Sequence, residues 1–308
     1  MTAVKLSDMM KKRQLLSFEL FPPKTDRGMA NLSETIQQLC RYKPEYISVT
    51  YGAGGGNVGA NRQVCRMVRN AGTVPVTHFT VIRNTKQGIR EQLETYLKEG
   101  VDHILALRGD FPRGETSTGG DFNYATDLVK FIRDEFGEQF EIAVAGSPEG
   151  HISCRSLEAD IGVLKMKQDN GADYIMTQLC WDMEQFERWL DKIRKAGVTL
   201  PVDVGIMPIL DQAATINMAL SRNGCVMDRE LSRLISKYWI FPNPFDKAPF
   251  DDSLEQKKAD FKKAGIEYTI RQIDKYRSLG VEGIHLYAMN KWKDVSQIIE
   301  RSGIRTLI

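Results

Sequence analysis

The sequence predicts an α/β fold, a (β/α)8 TIM barrel with a closed parallel sheet. Two observations predict it. Short apolar runs that read as strands alternate strictly with longer amphipathic runs that read as helices, the pattern of parallel strands joined by crossover helices. There are eight such units in 308 residues, and eight units in this length argue for a closed barrel over an open, Rossmann-like sheet, the second choice. With 42% of its residues hydrophobic, the chain can fill one large core.

The strand runs are Leu15–Leu20, Tyr46–Tyr51, Val74–Thr80, His103–Leu107, Glu141–Ala145, Tyr174–Gln178, Val202–Met207 and Gly283–Tyr287. Most are short, β-branched or aromatic, and almost continuously apolar, as strands covered on both faces are. Between them, Leu32, Ile36, Leu39 and Cys40 share one helical face, Ile89, Leu93 and Leu97 repeat every four residues, and Leu128, Val129, Ile132 and Phe136 do likewise. Gly72, Gly100, Gly137, Gly171, Gly197 and Gly280 mark helix ends ahead of the next strand. The long stretch from Pro208 to Gly280 carries extra helical patterns over Asp228–Tyr238 and Ser253–Arg277. The expectation is one catalytic barrel domain over residues 1–308, with a helical insertion within about 208–280.

Bulk composition excludes several classes. Forty-two Lys and Arg against 40 Asp and Glu give a net charge of +2, no broad attraction for nucleic acid. The patch Lys11-Lys12-Arg13 reads as a solvated helix surface. No apolar run is long enough to span a bilayer, and Met1 to Arg13 lacks the apolar centre of a secretory signal, so a cytoplasmic location is expected. The five cysteines are scattered with no CxxC pair, and the four histidines show no metal-binding spacing. Neither disulfides nor a metal site are expected.

In such barrels active sites form where strands end and βα loops begin. The first strand ends Phe18-Glu19-Leu20-Phe21-Pro22-Pro23, with a carboxyl inside an apolar run. Desolvation there would raise its pKa and suit it to giving a proton near neutrality; pairing with a buried Arg or Lys is the structural alternative. The second strand leads into the glycine-rich stretch Gly52-Ala53-Gly54-Gly55-Gly56, a phosphate cradle or a mobile substrate loop. His78 lies in the third strand. Arg108-Gly109-Asp110 ends the fourth, where the two charges either pair or clamp a polar ring system. The fifth leads into Gly146-Ser147-Pro148-Glu149-Gly150-His151, followed by a helix bearing Asp160, Lys165 and Lys167. Gln178 and Tyr287 close the sixth and eighth strands. The residues alone point to a barrel enzyme for a polar heteroaromatic ligand and do not name the reaction.

FELFPPK, SVTYGAGG, THFT, ALRGDFP, AGSPEGH, TQLCWD and HLYAMN occur at successive strand ends, from Phe18 to Asn290. In order and spacing they resemble the methylenetetrahydrofolate reductase family. That resemblance implies non-covalent FAD at the barrel mouth and a ping-pong cycle. NADH or NADPH would reduce the flavin, and methylenetetrahydrofolate would then take the hydride at its one-carbon bridge. It implies Glu19 as general acid and Asp110 as the acidic residue that tunes the flavin. It carries flavin contacts to Thr50, His78, Arg108, Gly109, Asp110, Tyr124, Ala125, Ser147, His151, Asp160 and Lys167. Substrate contacts go to Glu19, Gln178, Gln212 and Tyr287.

The sequence departs from the family at two places. Ser147 stands where relatives carry a tyrosine against the flavin, and Gln212 where an aromatic packs on nicotinamide or folate. A lost aromatic stack weakens binding by ~1 kcal/mol. The electron donor is therefore open between NADH, NADPH and a partner protein, and a homo-oligomer or hetero-complex is expected. The chain also stops at Ile308, short of the regulatory domain of longer relatives, so control by adenosylmethionine is not expected. Two alternative functions remain: a pterin-binding barrel methyltransferase without flavin, and a flavoprotein subunit fed electrons by a partner.

Overall fold

The computed structural model of the chain describes residues 5–51, 58–111, 114–221, 224–240 and 254–306. Eight parallel strands pair in chain order into a closed barrel. They are β1 (Leu15–Leu20), β2 (Tyr46–Val49), β3 (Val74–Thr80), β4 (His103–Leu107), β5 (Glu141–Gly146), β6 (Tyr174–Thr177), β7 (Val202–Ile206) and β8 (Gly283–Tyr287). Each lies within two residues of its sequence expectation. Closure is made by β8 on β1, with Ser17 opposite His285 and Glu19 opposite Tyr287.

Each strand but the seventh hands over to one helix. These are α2 (Asp26–Cys40), α3 (Val58–Asn70), α4 (Lys86–Lys98), α5 (Ala125–Phe136), α6 (Leu157–Asp169), α7 (Met183–Lys195) and, after β8, α11 (Trp292–Ser302). Between β7 and β8 the chain forms α8 (Gln212–Ala219), α9 (Arg229–Lys237) and α10 (Leu254–Ser278). Helix starts are fixed by side-chain caps: Thr25, Thr85, Ser156 and Asp182 each accept a backbone N–H three residues on.

Alternation along each strand sends one set of side chains out to the helices and the other into the barrel. Outward go Leu16, Phe18 and Leu20 of β1, Ile47 and Val49 of β2, and Ile142 and Val144 of β5. They join the main core with the helix faces. Inward lie two different linings. Near the strands' N-terminal ends, Leu15, Tyr46, Val76, Leu105, Ala143 and Tyr174 pack against Leu6 and Met10 of a short first helix, α1 (Leu6–Met10), which closes the barrel floor. The Glu141 carboxylate accepts the backbone N–H of Leu6 and of Ser7, each at 2.7 Å, and the Ser7 hydroxyl. An anion thus sits on the free donors of the helix start. Higher in the barrel the lining turns polar.

Among the described residues no helix is long and apolar enough to cross a membrane, and no group of His, Cys, Asp and Glu is arranged to hold a metal.

Candidate active site

Glu19 is the fifth residue of β1 and faces the interior just below the mouth. Its Oε2 lies 3.4 Å from Nε2 of His78 on β3 and 3.9 Å from Nε2 of His285 on β8. Ser48 of β2 stands between the two rings, its Oγ 3.3 Å from His78 Nε2 and 3.2 Å from His285 Nε2. All four strands are consecutive around the closure, so one wall of the barrel carries the cluster.

The expected upward shift of the Glu19 pKa is not what this arrangement produces. Burial pushes the carboxyl up, but the hydrogen bond to His285 and the charges of His78 and His285 outweigh it and hold it below the usual carboxylate value. The structural alternative of a buried Arg or Lys partner is also not the arrangement found: the partners are histidines. Burial, with the charge of His285, lowers the His78 pKa, against the pull of Glu19.

The opposite wall supplies cations. Arg108 and Asp110, weighed in the sequence as a mutual ion pair, do not form one: the Arg108 guanidinium lies over the Phe111 ring at 4.4 Å. Between them Gly109 takes a φ of +86°, and a side chain there would run into Ile82 and Thr80. Thr80 Oγ1 is buried beneath it with no hydrogen-bond partner. His151 and α6 come in from β5. The charges of Arg108, Asp160, Lys167 and Asp110 all act on the His151 ring, so these five residues share one region. Lys167 Nζ donates to Ala145 O at 2.8 Å, and burial, only partly offset by Asp160, holds its pKa below the usual lysine value. Cys154 Sγ contacts Asp160 Oδ1 at 3.4 Å.

Other expected residues fall around the rim. Thr50 follows β2 and bonds Leu20 O through its N–H. Ser147 is half-buried after β5. Tyr124 and Ala125 start α5, with Tyr124 exposed and its N–H held by Asp127. Residues 52–56, the glycine-rich stretch, lie outside the described residues. Gln178 follows β6; its side-chain oxygen accepts the Leu179 N–H at 2.9 Å. Tyr287 leans across Gly205 of β7, and its hydroxyl donates to Thr177 O at 3.0 Å.

Gln212 is not brought to the site. It is the first residue of α8 and is 2% exposed. Its amide donates to Ile235 O and Tyr238 O, and its carbonyl accepts the Ile240 N–H at 3.2 Å. It ties the end of α9 to the start of α8, and every polar group it has is spent there.

Sequence reading missed Ser17, Ser48, Asp203 and His285 as a group. Ser17 Oγ lies 2.7 Å from His285 Nδ1 and 3.0 Å from Asp203 Oδ2, and Tyr46 Oη donates to the same carboxylate oxygen at 2.6 Å. The signal was there: Ser17 and Glu19, Tyr46 and Ser48, and Asp203 are polar intrusions at alternate positions in runs that otherwise read as apolar on both faces.

A closed parallel barrel with Glu19, His78 and His285 on one wall and Arg108, Asp110, His151, Asp160 and Lys167 grouped on the other belongs to the TIM-barrel class. The family model for methylenetetrahydrofolate reductase matches residues 5–235, and the chain belongs to that family. Methylenetetrahydrofolate reductase 1 of Schizosaccharomyces pombe (strain 972 / ATCC 24843) is 32% identical over 298 residues, 96% of this chain and 47% of that protein. The 5,10-methylenetetrahydrofolate reductase of Escherichia coli (strain K12) is 30% identical over 291 residues, 94% of this chain and 91% of that protein. The chain spans about half the length of several such relatives. Among solved structures, an uncharacterized Clostridium thermocellum protein that binds two copies of 5-methyl-5,6,7,8-tetrahydrofolic acid has the same fold. It superposes with a TM-score of 0.60 at 12% identity, covering 97% of this chain and 99% of that one.

Proposed function

We propose that the chain reduces 5,10-methylenetetrahydrofolate to 5-methyltetrahydrofolate, with non-covalent FAD and a reduced nicotinamide as the hydride source. The observation that carries this is the pairing of two walls: a carboxyl flanked by histidines faces the mouth from one side, and Arg108 with Lys167 faces it from the other. Residues 1–308 act as one catalytic unit in this reading.

The residues fit FAD. Lys167 has three donors and makes one hydrogen bond, to a backbone carbonyl, while Arg108 lies close enough to act on the same neighbours. Two half-buried cations beside His151 suit a pyrophosphate. Thr80 Oγ1, buried and unpartnered under Gly109, offers a polar atom to a ring edge at the same wall. When bound, FAD supplies hydride that the protein itself has no group to provide.

What the chain's own residues do is bind, orient and protonate. Reduction of the methylene bridge requires the bridging five-membered ring to open to an iminium, and opening requires a proton on a ring nitrogen. Glu19 gives that proton from Oε2. A ligand stacked over the mouth removes the remaining water from Glu19 and shifts its carboxyl upward, towards the protonated form. Asp110 at the end of β4 holds and polarises the pterin and flavin edges. The Gln178 amide nitrogen is left for the pterin, and the Tyr287 ring, fixed through its hydroxyl, offers an apolar face.

Anaerobic stopped-flow spectroscopy tests this. Protein as purified shows a flavin absorption band, NADH or NADPH bleaches it, and methylenetetrahydrofolate restores it. A colourless protein that binds methyltetrahydrofolate supports the methyltransferase instead. A flavin that neither nicotinamide bleaches, yet that methylenetetrahydrofolate reoxidises after chemical reduction, moves the donor to a partner protein.

A further inference from the structure

We propose that Asp203 is a positioning residue for Glu19: through Ser17 it holds His285 as the Nδ1–H form, so that the ring's Nε2 trades a proton with Glu19. The proposal rests on the reading of Glu19 as the acid.

Asp203 is the second residue of β7 and is fully buried. Its Oδ2 accepts from Tyr46 Oη and Ser17 Oγ, its Oδ1 has no partner, and the favourable charge acting on it is that of His285. The residue opposite, Gly283 of β8, leaves the space the carboxylate fills: a Cβ there would sit 2.6 Å from Asp203 Cγ. An apolar side chain would be a cheaper occupant of this site, since no Lys or Arg contacts the buried carboxylate among the described residues and burying it is costly. Burial pushes the Asp203 carboxyl up to about 6, against the pull of His285, Tyr46 and Ser17; two hydroxyls donate to Oδ2 and no acceptor meets Oδ1, the surroundings of an ionised carboxylate.

The hydrogen-bond directions follow from the donor inventory. A carboxylate only accepts, so the single Ser17 hydroxyl proton points at Asp203 Oδ2. The Ser17 oxygen must then accept from the other neighbour, His285 Nδ1, at 2.7 Å. His285 therefore carries a proton on Nδ1 whether neutral or charged. The only ring proton that can come and go is on Nε2, the nitrogen that faces Ser48 at 3.2 Å and Glu19 at 3.9 Å. The remaining groups around this ring are Tyr46, stacked on it at 5.5 Å, Tyr287, edge-on at 5.7 Å, and His78, which meets Ser48 from the far side. Glu45 and the Tyr174 phenol act on or beside Asp203.

The step balances within these groups. Glu19 loses its proton to the folate ring nitrogen. The Nε2–H bond of the His285 imidazolium then breaks as an O–H bond forms at Glu19 Oε2. Imidazolium and carboxylate become the neutral Nδ1–H ring and the carboxylic acid, and a solvent proton returns to Nε2.

The test uses the FAD-bound enzyme with Asp203→Asn and Ser17→Ala. Labelling with 15N-histidine reads the tautomer, and reoxidation by methylenetetrahydrofolate across pH reads the acid. Wild type shows His285 protonated on Nδ1. In Asp203→Asn the anion that fixed the Ser17 proton is gone: the amide oxygen still accepts from Tyr46, Ser17 becomes free to donate to Nδ1, and part of the rings shift to Nε2–H; in Ser17→Ala the Nδ1–H signature is lost in part. In both, reoxidation slows about tenfold, and the slowing changes with pH because reprotonation of Glu19 becomes limiting. Flavin reduction, which needs no proton from Glu19, keeps its own profile. Variants that retain the Nδ1–H ring, or profiles that superpose on wild type, overturn the proposal. Should Asp203→Asn fail to fold, Ser17→Ala decides alone. An enzyme that turns over no folate removes the proposed reaction, and the tautomer measurement still decides the role of Asp203.

Discussion

The barrel interior holds two histidine–carboxylate clusters with opposite ratios. On the floor one histidine serves two carboxylates: His103 Nδ1 meets Asp102 at 2.7 Å and its Nε2 meets Glu141 at 3.1 Å. Burial lowers that ring's proton affinity, but the bonds to Asp102 and Glu141 more than reverse it and raise the pKa to about 9. Below the mouth two histidines flank one carboxylate, at 3.4 and 3.9 Å, and burial with the His285 charge lowers the His78 pKa. The floor cluster has short bonds, and Glu141 also caps α1; it is a latch. In the mouth cluster the carboxylate stands farther from both rings. The same residue types thus tie down a helix at one end and, in the proposed reaction, supply the proton at the other.

The largest test of that contrast is Glu19→Gln. It removes the proposed proton donor and should cut methylenetetrahydrofolate reduction by about a thousandfold. Flavin reduction by the nicotinamide and thermal stability should hardly change, and substantial folate turnover would take Glu19 out of the acid's role. The floor should answer to pH in stability instead. A raised histidine pKa contributes stability that is complete below the ordinary value of 6.5 and is lost as pH rises through about 9. Denaturant titrations between those pH values should show a loss of up to roughly 3 kcal/mol, and a wild-type slope in His103→Gln would sink this assignment. Lys167→Met, on the cation wall, should weaken FAD binding about ten- to a hundredfold by equilibrium dialysis, the worth of one charged hydrogen bond. The smallest effect belongs to Asp110→Asn. It should keep FAD and slow the folate half-reaction about tenfold, read as reoxidation rate in stopped flow.

The eight strands and the eight-unit alternation were legible because strands buried on both faces leave an unmistakable apolar rhythm, interrupted by glycines where each helix ends. Glu19 and the Arg108-Gly109-Asp110 turn were legible as strand-end polar residues. The direction of the Glu19 pKa was not, because the two histidines that set it come from strands 59 and 266 positions away in sequence, as Glu19, His78 and His285 are numbered. Asp203 was hidden for a related reason: one carboxylate in a five-residue apolar strand reads as an anomaly until its partners on β1 and β2 are known. Gln212 failed differently. The family resemblance implied a substrate contact, but the start of α8 turns its side chain inward to secure α9, a tertiary use that local pattern does not reveal.

The stopper formed by α1 leaves this cylinder with one doorway. Leu6 and Met10 plug one end, so every visitor to the reactive face arrives and departs by the other. In the proposed reaction two bulky planar guests share that doorway and must queue, so an excess of either one should hold up the next in line.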